Sequence, residues 1–472
     1  MRLSLRGIIV LALGGFVAGP TFAQTPPAPV RQTELERISE SCSGFSFGDI
    51  INCGESLFTE QPLHIAVGSL APQNGIGAGG AFVWHWTTKN WRDSLDVDAV
   101  GTPNGSWRAS AFFTAVWVRR PRIIVTTAAS GKKSNVYIQE QPVFNLYSET
   151  VSLNKLTYFG LGPNTTDTAR SYYGMRETIV GGNVVWPTFR PLNMSLSAEA
   201  NGRFVSLRPS QGQSSPSIEQ IYTPLTAPGL ANQPGYAQFG EGVRIRPYFA
   251  HDYVNLDYAV NLKEFVSSSG PSPSFQRLTM DFQHQFVLPW TTRSTGARVG
   301  NGPDDCSADP NATVRKCPVI VAPKGVSRNF EGSINVGLTI NESFNGGSSI
   351  PFYFQPTLGG SDINGSPSLP SYQDYRFRGP NTILFRASIE HSLYKGWPIG
   401  AVAMIDEGKV ALSHSDIDFS HLRHSYAAGL TLRAGGFPLV YLLFSWGGHE
   451  GMHTIGRMDT SLLGGAARPS YY

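Results

Sequence analysis

Charge is scarce in this sequence. Asp, Glu, Lys and Arg supply only 15% of the 472 residues and nearly cancel, at +3, which leaves no electrostatic footprint for nucleic acid. Cysteine is scarcer: there are four, none in the CxxC spacing of a zinc or dithiol redox site. Long apolar runs are missing as well. Beyond residue 23 the longest covers 438–446, far short of the ~18 residues that a transmembrane helix needs. A GxSxG elbow, a phosphate-binding P-loop and a basic-aromatic stripe are all absent, so esterase, P-loop nucleotide and nucleic-acid chemistry lack local support.

Glycine and proline are plentiful, at 51 and 33 residues. Their share is too high for a helical bundle, and 11% aromatics is too high for a disordered chain. A turn-rich β protein remains.

The first residues carry a secretory pattern. Arg2 and Arg6 precede an apolar stretch over 8–18, then Thr21-Phe22-Ala23 forms a small-residue site, so residues 1–23 read as a signal peptide cut after Ala23. The proline-rich start of the following segment, 24–62, reads as an extended linker, and the whole segment as periplasmic. In an exported chain, Cys42 with Cys53 and Cys306 with Cys317 are two closely spaced pairs, each suited to a local disulfide.

Alternation then chooses among exported classes. Leu192, Met194, Leu196, Ala198 and Ala200 share one face of a strand, opposite Asn193, Ser195, Ser197, Glu199 and Asn201. The same period recurs from Val254, from Arg277 and from Ser333. These runs approach the ~9–11 residues of a tilted membrane strand, and their polar faces of Asn, Ser, Thr and Gln suit a wet lumen. A soluble sandwich has shorter strands and more Lys and Glu outside. Trp84, Trp86 and Trp91, Tyr172 and Tyr173, and Trp397 stand near strand ends, where interfacial girdles lie. The fold class read from this is all-β: a transmembrane antiparallel β-barrel over 63–472, of about sixteen strands. Long loops at 211–238, 291–327 and 346–370 are expected on the extracellular side, with tight turns such as Asn104-Gly105 on the other.

His449-Glu450-Gly451-Met452-His453 matches HExxH, which holds zinc when a helix stacks its two histidines one turn apart. Here the string follows Trp446-Gly447-Gly448 and enters an alternating run, so it reads as a turn and a strand. A strand spreads four residues over ~13 Å, too far for two ~2 Å bonds to one ion. His421 and His424 read as a rim cluster, and Asn164-Thr165-Thr166 as a turn.

Several strings carry a resemblance. They run Leu358-Gly359-Gly360-Ser361, Tyr375-Arg376-Phe377-Arg378-Gly379-Pro380-Asn381, Ser388-Ile389-Glu390, Ile405-Asp406-Glu407-Gly408-Lys409-Val410, Leu422-Arg423-His424-Ser425 and Gly429-Leu430-Thr431-Leu432-Arg433, with Tyr158-Phe159-Gly160-Leu161-Gly162-Pro163-Asn164 upstream. The stretch 352–451 resembles the C-terminal barrel half of the bacterial surface antigen family, the superfamily of BamA, TamA and the two-partner-secretion transporters.

The resemblance implies an inward loop built on Tyr375, Arg376, Phe377, Arg378 and Gly379, with Asp406 as its lumenal acidic partner. In the family an arginine in a V/L-R-G-F/Y tetrad makes that pair. Here Leu369-Pro370-Ser371-Tyr372 stands in its place, so Arg376 or Arg378 is expected to pair with Asp406. The implied function is non-enzymatic: insertion of membrane proteins, or translocation of polypeptide or lipid, with no cofactor. Its partners would be outer-membrane lipid and a client polypeptide or separate periplasmic subunit, because 24–62 is short for a receiving domain. A general diffusion channel is the alternative. An outer-membrane hydrolase would need a Ser-His-acid cluster at the outer rim.

Overall fold

A computed structural model describes residues 63–118, 141–189, 192–210, 216–247, 253–271, 273–294, 325–345, 349–394, 397–434, 437–448, 450–458 and 468–472. Residues 1–23, expected as a signal peptide, the segment 24–62, all four cysteines and His449 lie outside the described residues.

The chain forms β1 (Leu63–Ser69), β2 (Ile76–Thr87), β3 (Trp91–Gly101), β4 (Trp107–Trp117), β5 (Val143–Tyr158), β6 (Ser171–Phe189), β7 (Met194–Pro209), β8 (Tyr236–Ile245), β9 (Val254–Ser267), β10 (Phe275–Ser294) and β11 (Gly325–Phe344). Two short strands follow, β12 (Thr357–Leu358) and β13 (Phe377–Arg378), then β14 (Asn381–Ser392), β15 (Ile399–Ala411), β16 (Arg423–Ala434), β17 (Phe437–Trp446) and β18 (His453–Met458). All except β12 and β13 join one sixteen-stranded antiparallel sheet in chain order, and those two pair with each other. Among the described residues no ladder joins β1 to β18. Four of the ladders shift register, and three of the shifts fall at a proline, Pro187, Pro289 or Pro438, whose missing N–H breaks the hydrogen-bond sequence.

The two faces of the sheet divide as the alternation requires. On one face lie Leu146, Phe204, Phe239, Ile389, Leu430 and Phe444, roughly half exposed although apolar, with Leu146 at 61% and Phe204 at 58%. Burying such a side chain stabilises by about 1.5–3 kcal/mol, so a continuous row left open to water would be costly; a lipid surround removes the conflict. No described helix is long and apolar enough to cross a membrane. Near one end of this face Trp91 stacks on Trp117 at 5.8 Å, Trp117 meets Trp186 at 5.8 Å, and Phe144 touches both Trp91 and Trp186. Such a cluster suits an interfacial girdle and contains Trp91, whereas Tyr173, expected in the girdle, is buried inward against Phe352.

The other face encloses the segment 349–380. Phe352 packs on Tyr158 and Tyr173, while Phe354 packs on Tyr236, Phe265 and Phe275. Leu369, Pro370 and Ser371 bond to Asp406, Ser445 and Ser425. One short segment thus touches β5, β6, β8, β9, β10, β15, β16 and β17 on the same face, which requires the sheet to curl around it as a barrel wall.

The loop asymmetry is not as the sequence suggested. In an up-and-down meander, connections alternate ends, so the tight turn Asn104-Gly105 after β3 lies at the same end as the long connections after β7 and β11. The connection after β10 lies at the opposite end. Loop length therefore does not distinguish the two ends.

Candidate functional site: the lumenal plug

The plug begins with a turn that only glycine supports. Gly359 and Gly360 have φ of +107° and +59°, and a Cβ on Gly359 would stand 2.5 Å from Arg376 Cβ. This close approach lets Thr357 and Leu358 pair with Arg378 and Phe377, so the segment folds on itself before it meets the wall. Asp374 accepts from the Ser361 N–H at 2.9 Å, and Asp362 from the Ser366 N–H at 2.7 Å. Burial pushes both carboxyls above the ordinary aspartate range, and the hydrogen bonds only partly offset it.

The tip, 369–372, docks by its backbone. The Leu369 N–H donates to Asp406 Oδ2 at 2.9 Å, the Ser371 N–H to Ser425 Oγ at 2.8 Å, and Ser445 Oγ donates to the Pro370 carbonyl at 2.7 Å. Leu369 adopts φ +45°, a conformation that non-glycine residues rarely hold. Asp406 is fully buried, and its counter-charge is Arg386, whose Nε and Nη2 reach it at 2.7 and 2.5 Å. The expected pairing of Asp406 with Arg376 or Arg378 is therefore incorrect. The physical reason is register: Arg386 on β14 stands directly opposite Asp406 on β15, closer than any plug side chain. With the charge met by the wall, the tip needs to supply only an amide, so Pro370 is compatible with docking.

Arg376 and Arg378 serve elsewhere. Arg376 Nε donates to Glu450, and its Nη1 and Nη2 donate to Thr165 Oγ1 and the Thr165 carbonyl at 2.7 and 2.8 Å. Its guanidinium also lies over the rings of Phe159 and Phe377. Arg378 Nη1 donates to the Phe352 carbonyl at 2.7 Å, and its own carbonyl accepts from the Gly162 N–H at 2.7 Å. These contacts bring the strings 158–164 and 375–381 together. Tyr375 OH donates to the Pro72 carbonyl at 3.1 Å, Phe377 packs on Tyr372, and Gly379 is buried beside Val410. Glu450 is the counter-ion of Arg376, and His453 opens β18, so the described part of the string, 450–453, runs from a turn into a strand. The described residues hold no cluster of three metal-ligating side chains.

Sequence reasoning overlooked two further lumenal groups. Arg203 donates to Glu177 at 2.9 Å and to Gln238 at 2.5 Å, and Arg433 donates to both oxygens of Glu390, with Thr431 bonded beside it. Each member sits at an inward position of an alternating strand, and that parity was the available signal. Glu149 belongs to a third group, with residues 468–472.

No family model matches the sequence, and no curated protein does. Solved structures with a similar fold include CdiB from Acinetobacter baumannii, with 11% identity and a TM-score of 0.42 over 82% of this chain and 57% of that one. BamA from Haemophilus ducreyi lacking POTRA domains 1–3 is similar at 11% identity and a TM-score of 0.44, over 84% and 69%. CdiB from Escherichia coli is similar at 12% identity and a TM-score of 0.45, over 81% and 58%. The chain thus spans 57% of the length of the first of these structures.

Proposed function

We propose that this protein is an outer-membrane β-barrel of the surface-antigen type, exported by residues 1–23, that inserts or translocates polypeptide or lipid without bond chemistry. The observation that carries this reading is the plug: the segment 349–380 is buried against the inner face of the sheet and is held by backbone bonds to Asp406, Ser425 and Ser445. In this reading Tyr375, Arg376, Phe377, Arg378 and Gly379 hold the plug against the string 158–164, and Asp406 anchors its tip. A filled lumen suits a conduit that opens for a client and does not suit steady diffusion. Its partners are outer-membrane lipid around the apolar belt and either a client polypeptide or a separate periplasmic subunit.

The test is twofold. Gel migration of the outer-membrane fraction with and without boiling should show a heat-dependent shift, as a folded barrel does. Purified protein in planar bilayers should open rarely. Steady open pores would overturn the reading in favour of a general diffusion channel, and a soluble chain without a shift would overturn the membrane location.

A further inference from the structure

Glu149 on β5 is buried, and both of its oxygens are occupied by the last five residues of the sequence. Oε1 accepts from Tyr471 OH, and Oε2 accepts from Arg468 Nη1 at 2.6 Å. Arg468 also donates through Nη1 to Ser110 Oγ at 3.0 Å and through Nη2 to Asp98 at 2.6 Å, and its guanidinium lies over the Phe112 ring at 5.3 Å. The peptide between them is read as well. The Ser470 carbonyl accepts from Arg203 at 2.5 Å, and the Tyr471 N–H donates to Asn364 Oδ1 at 2.9 Å. Tyr472 OH donates to Asp362. The first set of partners belongs to the wall strands β3, β4, β5 and β7, while Asn364 and Asp362 belong to the plug.

From this arrangement we infer a peptide-binding recess in the lumen, bounded by Asp98, Ser110, Phe112, Glu149 and Asn364, that takes a segment bearing a guanidinium and, three residues on, a phenol. Residues 468–472 fill it in cis and latch the plug to β3–β7. The chemistry of the recess argues for this ligand. Two carboxylates on β3 and β5, in register on either side of Ser110 on β4, with a ring beside them, match a planar cation that can bond to both and stack. The Glu149 carboxylate has no hydrogen-bonding partner among the described residues other than Arg468 and Tyr471, so emptying the recess leaves a buried carboxylate to be met by water or by another cation. The inference holds whatever the barrel carries: a segment of the same chemistry would compete with the latch and free the plug.

The test uses the chain shortened to residue 467, checked for its heat-dependent gel shift, in planar bilayers. Open probability is expected to rise about tenfold or more over the full chain, since several charge-assisted bonds are lost. The synthetic peptide Arg-Pro-Ser-Tyr-Tyr added to the shortened chain should restore the closed state, whereas its Arg-to-Ala version should not, and Glu149→Gln should abolish the rescue. Unchanged conductance on shortening, or equal rescue by both peptides, would overturn the inference. If the shortened chain loses its heat shift, the full chain carrying Arg468→Ala and Tyr471→Phe decides: raised open probability supports the latch, and wild-type behaviour overturns it.

Discussion

Arg386 and Asp406 face each other across the β14 to β15 ladder, and the guanidinium grips the carboxylate with two bonds while the plug tip adds a third from the Leu369 N–H. The wall thus carries its own ion pair and offers the remaining capacity of Asp406 to the plug.

Breaking that pair from one side should be costly. Asp406→Asn or Arg386→Met alone is expected to lower stability by roughly 2–4 kcal/mol, because each leaves a buried or half-buried charge without its partner. The double variant should lose clearly less than the sum of the two, as for residues in contact. Arg378→Ala combined with Asp406→Asn should be nearly additive. Urea unfolding in lipid vesicles measures all four.

The plug turn gives a second test. Gly359→Ala meets both a positive φ and the Arg376 side chain, whereas Gly365→Ala at φ +81° meets open space. The first should undock the plug, read as faster protease cleavage within 349–380. The second should cost only the backbone strain, about 1 kcal/mol.

Acidity should tighten the plug. Burial raises the Asp362 and Asp374 carboxyls above their unfolded values, so near neutral pH docking bears the cost of burying charge. That cost falls as pH drops through the raised range and returns as pH rises, because the docked state binds more protons than the free one. Protease protection of 349–380 should therefore grow from neutral to mildly acidic pH. Asp374→Asn, which keeps an acceptor for the Ser361 N–H, should flatten that dependence. An unchanged slope in this variant would assign the effect to other groups.

The aromatic girdle should fix the barrel's depth. Brominated lipids should quench the Trp fluorescence strongly when bromine lies near the headgroups and weakly when it lies at mid-chain. Trp117→Ala removes stacking with Trp91 and the edge contact with Trp186. It is expected to cost about 1–3 kcal/mol in vesicles.

The wall was legible in the sequence because a period of two places every side chain: Leu196, Val260, Met280 and Ile340 all fall on the lipid face, as the alternation required, and they form one cross-strand row. The partner of Asp406 was not, because a partner on the neighbouring strand depends on register, which turn lengths and bulges set. The roles of Arg376 and Glu450 were hidden for a related reason. Their contact joins positions 74 residues apart through two irregular segments that carry no periodic signal. Parity would have revealed Glu177 and Arg203, which lie on inward positions of neighbouring strands.

Sequence separation inside the lumen sets an order of events during assembly. Tyr375 and Pro72 are 303 residues apart, and Arg468 and Asp98 are 370 apart. Neither contact can form until nearly the whole sequence is available, whereas each wall hairpin joins neighbours and can form early. Hairpins of the wall are therefore expected to pair ahead of the lumenal contacts, with Asp98 and Glu149 hydrated until residues 468–472 arrive.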